Sequence, residues 1–192
     1  MINIAKSNDI LKGSMGAGHR ELDNARIIGR FQAVCRSADG EEIWSEEFDN
    51  LITTVGKNFL LDSALAGSTY TAAEYMGLIS STSFSAVAAG DTMSSHTGWL
   101  EAGSTNAPTY SGTRNTCAWS AASAGVKALS AGLVFTFTGS GTVQGAFIVG
   151  GSGAVSTLMS TAGILYSAGT LGTPQPVIST NTLTLSYSTT LT

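Results

Sequence analysis

The sequence predicts an all-β protein: a β-sandwich or jelly-roll-like domain with one short helix and an extended N-terminal arm. Three observations carry this. After Gly67, short apolar runs recur at roughly ten-residue spacing, punctuated by Gly-rich turns, as in sandwich domains. Asp39-Gly40 separates two alternating runs, a strong hairpin signal. A single stretch, about residues 55–66, places apolar residues near the 3.6-residue period of a helix.

Residues 1–25 form the arm in this reading. Single apolar anchors (Ile2, Ile4, Ile10, Leu11 and Leu22) alternate with charges and with the segment Gly13-Ser14-Met15-Gly16-Ala17-Gly18. No period is sustained, and the glycines would break one. Such a terminus orders when a partner ties it down, so these anchors are candidate docking residues. The domain then spans residues 26–192.

Its first element is the hairpin. Ile27 to Cys35 alternates, with Ile27, Phe31 and Cys35 on one face. Ser37-Ala38-Asp39-Gly40 is the turn, and Glu42 to Phe48 returns, its glutamates set beside Arg30 and Arg36 as cross-strand pairs. The helix follows. Thr54 is its expected cap; Val55, Phe59, Leu60 and Ala64 form its apolar stripe, and Gly67 sits where a C-cap wants glycine. Strands are then expected at Glu74–Ile79, Gly98–Glu101, Thr116–Ser120, Leu133–Thr138, Val143–Val149, Gly163–Tyr166 and Thr182–Ser188. In the last, Leu183, Leu185 and Tyr187 point inward and Thr182, Thr184, Ser186 and Ser188 outward. No longer repeat is present.

Charge is distributed very unevenly. The chain has 192 residues, a mass of 19.6 kDa and a net charge of −4. Of 22 charged residues, 17 lie between Lys6 and Asp62. The 130 residues from Ser63 to Thr192 carry Glu74, Asp91, Glu101, Arg114 and Lys127 alone. An average soluble stretch of that length holds roughly 30 charges. Charge keeps monomers solvated and apart, so a Ser/Thr/Gly/Ala surface lacking it suits a protein that touches other copies. Without a Lys/Arg cluster, phosphate neutralisation has no basis and no nucleic-acid partner is expected. The start resembles no secretion signal, and 18 consecutive apolar residues occur nowhere, so no membrane partner is expected and synthesis in a cytoplasm is. Cys35 and Cys117 lie in no metal-type spacing and read as small buried hydrophobes.

Motifs for chemistry are weak. Gly13 to Arg20 lacks the Lys-Ser/Thr ending of a phosphate loop, and no apolar strand precedes it. Gly139 to Gly145 has the wrong glycine spacing for a dinucleotide and leads into a strand. Asp91, Ser94, Ser95 and His96 are too close in sequence to converge as a triad. Asp91 reads better as a turn carboxylate that accepts backbone N–H bonds. Glu74, Asp91 and Glu101 are the only acids available for a glycosidase pair in the charge-poor stretch. The two histidines stand 77 positions apart, which disfavours a zinc centre. No catalytic, cofactor or metal residue is expected, and the protein reads as a non-enzyme. Trp99, Tyr110 and Trp119 are candidates either for stacking on sugar rings or for the core or a subunit interface, the latter preferred.

Several segments together resemble a family of small tailed-bacteriophage virion proteins. They are Asp49 to Asp62 with its Asn-Leu-x-Thr-x-x-Gly entry, Tyr75 to Ile79 with Gly-Leu, and Asp91 to Glu101 with Asp-Thr-x-x-Ser-His-x-Gly-Trp. Tyr110 with Arg114, and Gly145 to Ile148 with Gly-x-Phe, complete the set. The resemblance spans about residues 27 to 190 and implies a particle component made in the bacterial host and residing in the virion. Its partners would be major capsid or tail proteins and further copies of itself. A small single domain with a reaching arm, and no coiled-coil stem, suits capsid decoration slightly better than a tail, collar or fibre-attachment role. A carbohydrate-binding module that contacts the host surface is the alternative from another class.

Overall fold

The computed structural model describes residues 26–65 and 73–192. The arm anchors Ile2, Ile4, Ile10, Leu11 and Leu22, and the expected helix stop Gly67, lie outside them. Among the described residues the chain forms ten strands and one helix. In order these are β1 (Ile27–Arg36), β2 (Glu42–Ile52), α1 (Thr54–Leu65), β3 (Glu74–Ser80), β4 (Leu100–Glu101) and β5 (Asn115–Cys117). Then follow β6 (Val126–Ala128), β7 (Leu133–Thr136), β8 (Gly141–Gly150), β9 (Ile164–Val177) and β10 (Thr182–Leu191). The all-β class with one short helix is therefore as the sequence predicts.

The strands pair along one path, β4-β3-β8-β9-β2-β1-β10-β6, with β5 added beside β3 and β7 beside β10. Every named pair is antiparallel. β2 is the turning point. Its first part, Glu42 to Asp49, pairs with β1, and its last three residues, Asn50 to Ile52, pair with β9. The two halves of the path share one core. Phe31, Cys35, Phe48, Phe135, Leu183, Leu185 and Tyr187 pack with Met76, Leu78, Ala146 and Ile148. The opposite face of β3 and β8 builds a second cluster from Ile79, Phe147 and Val149, closed over by Met93 and Trp99 of the long β3–β4 connection. β8 is buried from Val143 to Gly150 because both its faces are covered.

The hairpin forms as its turn chemistry dictates. Gly40 adopts φ 86°, a conformation glycine takes without strain, and its N–H donates to Ser37 O at 3.1 Å. Phe31, Ala33 and Cys35 face the core, whereas Ile27, expected beside them, is 41% exposed because the strand runs past the end of the core. Arg30 and Arg36 meet Glu47, Asp49 and Glu42 on the outer face. Glu46 departs from this pattern. It points across to β9, where it accepts a hydrogen bond from Gly172 N at 2.6 Å.

The helix starts one residue earlier than its sequence signal. Thr53, not Thr54, is the cap: its hydroxyl accepts from Gly56 N at 3.0 Å and donates to Leu165 O of β9. Gly56 has no substitute here, since a Cβ would stand 2.1 Å from Tyr166 O. Val55, Phe59 and Leu60 are half-buried, but Ala64 is exposed.

Candidate functional site

Three of the sequence segments singled out above, Tyr75 to Ile79, Asp91 to Glu101 and Gly145 to Ile148, meet in the second core cluster through Ile79, Met93, Trp99 and Phe147, whereas Ile52 and Tyr110 lie in the main core. Asp91 is buried, and its Oδ2 accepts from Ala88 N and from the Trp99 indole N–H, both at 2.9 Å. Thr92 Oγ1 accepts from Ser95 N at 3.0 Å. His96 stacks on Trp99 with centroids 3.9 Å apart, and its Nδ1–H donates to Trp99 O at 3.0 Å. Gly98 lies so close to Ala86 O that a Cβ would stand 2.2 Å from it. The stretch is a self-closed knot around one tryptophan, whose ring meets Phe147 at 5.2 Å.

Phe147 leads to a second piece of the same layer. Arg114 stands over its ring at 5.3 Å and grips Glu101 through two bonds, Nε to Oε1 at 2.8 Å and Nη2 to Oε2 at 2.7 Å. Both side chains are buried. The remaining capacity of the pair holds the β8–β9 connection: Arg114 donates to Val155 O and Ser160 O, and Glu101 accepts from Met159 N. A buried pair is tolerated only with such full satisfaction. Gly77 completes the layer, because a Cβ there would stand 2.5 Å from the Phe147 ring.

These contacts decide what the residues can do. Asp91 is occupied by Trp99 and Ala88, so it does not orient His96, and His96 turns its Nδ1 to a backbone carbonyl. The geometry is that of a loop clamp, with no nucleophile–base–acid chain in it. Glu101 is neutralised by Arg114 and is equally committed. Cys35 is free and buried, which pushes its thiol up to about 11. Cys117 is pushed up as well, by burial and then by the Glu74 charge. Thiols held neutral in this way are poor nucleophiles. Among the described residues no three His, Cys, Asp or Glu groups lie together as a metal set, and no helix is long and apolar enough to cross a membrane.

The three singled-out aromatics separate. Trp99 is 0% exposed and Tyr110 is 4% exposed, packed edge-on to Phe135. Both rings lie in the core, one of the two places the sequence reading preferred for them, and neither presents a face to solvent. Of the three, Trp119 alone lines open space, a pocket of about 480 Å³ walled by Phe59 and Leu60 of α1 and floored by Tyr166 and Thr189. Glu74 and Lys127 stand at this pocket too. Sequence reasoning missed it because its walls come from α1, β9 and β10, which are distant in the chain. No family model, curated protein or solved structure matches the sequence.

Proposed function

We propose that this protein is a non-enzymatic structural component of a bacteriophage particle. In this reading it self-associates as a trimer or larger ring, docks on other virion proteins, and serves capsid decoration ahead of a tail, collar or fibre-attachment role. The two facing layers turned by β2 are read as a β-sandwich.

One observation carries the reading. The few charges after Ser63 are mostly turned inward: Asp91, Glu101 and Arg114 are all buried. The outer face of β10 carries Thr182, Thr184, Ser186, Ser188 and Thr190; on its β7 side it continues as Thr136 and the exposed Val134, an uncharged surface, and on its β1 side it meets Arg30 and Arg36. A face of hydroxyls and small apolar groups packs against a neighbour without stranding charge. Many such modest contacts add up in a closed assembly. The motif resemblance points the same way. Glycan binding has less support, since two of its three aromatics are in the core and the pocket at Trp119 is mainly apolar.

The test is location and copy number. In purified particles the protein should be present in hundreds of copies on the shell, seen in an averaged image. Six, twelve or eighteen copies would place it in the tail. Thr184→Lys with Ser186→Glu should leave a folded domain that no longer assembles or joins particles. Absence from particles, together with a monomer that those changes do not affect, would overturn the proposal.

A further inference from the structure

Strand edges are treated unequally in this fold. On the outer side of β7, Ser111 N donates to Thr136 O and the Asn115 side-chain amide donates to Val134 O. Beside β6, Ser120 N donates to Ala128 O. β2 differs. It pairs with β1 between Glu42 and Asp49, but with β9 only from Asn50 to Ile52. The direction of its free groups follows from the ladders. Arg26 and Thr192 exchange backbone hydrogen bonds at 2.7 and 2.9 Å, so even-numbered residues of β1 address β10 and odd-numbered ones address β2. Phe31 and Ala33 then bond Phe48 and Glu46, and the N–H and C=O groups of Ser45 and Glu47 point away from β1. The Thr53 N–H, donated to Tyr166 O of β9, gives the same alternation from the other end of the strand. β9 does not take these groups up. Its Gly172 N–H goes to the Glu46 carboxylate, its Pro176 O accepts from the Trp44 indole at 3.2 Å, and Pro174 and Pro176 have no N–H to offer. Ser45 and Glu47 are exposed.

We propose that the Ser45–Glu47 edge of β2 takes up an extended, basic segment of a partner protein as an added strand. A strand edge with unpaired N–H and C=O groups is a template for another chain. Charge selects the partner. From Ile27 to Ile52 the chain carries six carboxylates and two arginines. Arg30 serves both Glu47 and Asp49, and Glu46 is held by neutral groups, the Gly172 amide and the Gln175 side chain. A second copy paired here across a two-fold would set these acids against their own equivalents, and like charges on paired strands repel. A segment with lysine or arginine at alternate positions instead sets its cations beside Glu47 and Asp49, and its other side chains beside the half-buried Trp44. β1 separates this edge from β10, so the inference can fail without touching the assembly reading.

The experiment uses the full chain. In the dilute free protein, amide exchange followed by nuclear magnetic resonance should be fast at Ser45 and Glu47 and slow at Glu46 and Phe48. A short capped peptide of alternating lysine and valine should then slow Ser45 and Glu47 about tenfold or more. Its affinity, from the fluorescence anisotropy of a dye on the peptide, should fall with added salt. The matching glutamate–valine peptide should not bind. Ser45→Pro removes one edge N–H and leaves the β1 ladder intact, so it should weaken lysine-peptide binding about five- to tenfold. Glu47→Lys, a surface change, should weaken it as well. Slow exchange of both edge amides in the dilute free chain would overturn the proposal, since the edge would already be taken. So would their protection on raising the protein concentration alone, which would assign the edge to a second copy. Lysine-peptide binding that leaves both amides fast would also overturn it.

Discussion

Two regions of this molecule use the same pair of charged groups in opposite ways. On the β1–β2 hairpin, Arg30 reaches Glu47 at 3.7 Å and Asp49 at 3.0 Å, and Arg36 reaches Glu42 at 3.5 Å, with every side chain about half exposed. In the layer behind β3 and β8, Arg114 and Glu101 meet at 2.7 Å and are almost wholly withdrawn from water. The hairpin pairs sit in a high dielectric and compete with solvent, so each contributes little. The buried pair sits where an unmatched charge is severely penalised, so each partner depends on the other and on the loop carbonyls they bind. Proximity of opposite charges is common to both. Burial decides which one the fold depends on.

The largest test of this contrast is Arg114→Ala. It strands Glu101 and frees the 151–163 connection, so stability should fall by about 3–5 kcal/mol in urea unfolding. The double change Arg114→Met with Glu101→Met should recover much of that loss. A small effect of the single change would place the pair in solvent and erase the contrast. Next comes Thr53→Ala, which removes the helix cap and the bond to β9 together; a loss of about 0.5–2 kcal/mol is expected. The equivalent change at Thr54 should cost less, which separates the two candidate caps. Arg30→Ala should cost about 1 kcal/mol or less, and that small loss should shrink further in high salt.

At neutral pH the smallest effect is that of the Cys35 thiol. The fold holds it neutral and raises it from 9.0 to about 11, by burial. Unfolded chains release this proton near pH 9 and the folded chain does not. Its contribution is therefore complete below pH 9 and is lost as pH rises toward 11. Thermal midpoints measured across that window should decline, and less steeply in Cys35→Ala. Tyr187 and Tyr110 are also raised by burial and steepen the decline at higher pH.

Much of the fold was legible in the chain. β10 was readable because its period of two runs without a break, and Leu183, Leu185 and Tyr187 are indeed buried. The hairpin was readable because Asp-Gly turn chemistry is local. β6, Val126–Ala128, was missed because three residues hold no period. The second half of β9 was missed because Pro174 and Pro176 argue against a strand. They are tolerated because β9 pairs with β2 only over Ser167 to Gly169, leaving the other edge of the proline stretch without a ladder to break. Asp91 was recognised as a turn carboxylate, but its second partner, the Trp99 indole, was not foreseen. Glu101 and Arg114 showed no signal of their pairing, since thirteen positions across a loop carry no periodic relation.

By itself the sequence determined the strand periods, the hairpin turn, the presence of one helix and the scarcity of charge after Ser63. Each of these depends on residue type and near neighbours alone. Only the tertiary structure decided that three of the five remaining charges turn inward, that Trp99 and Tyr110 belong to the core, and that Trp119 borders an open pocket. Burial is set by which elements come to lie over a residue, and here those elements come from opposite ends of the chain.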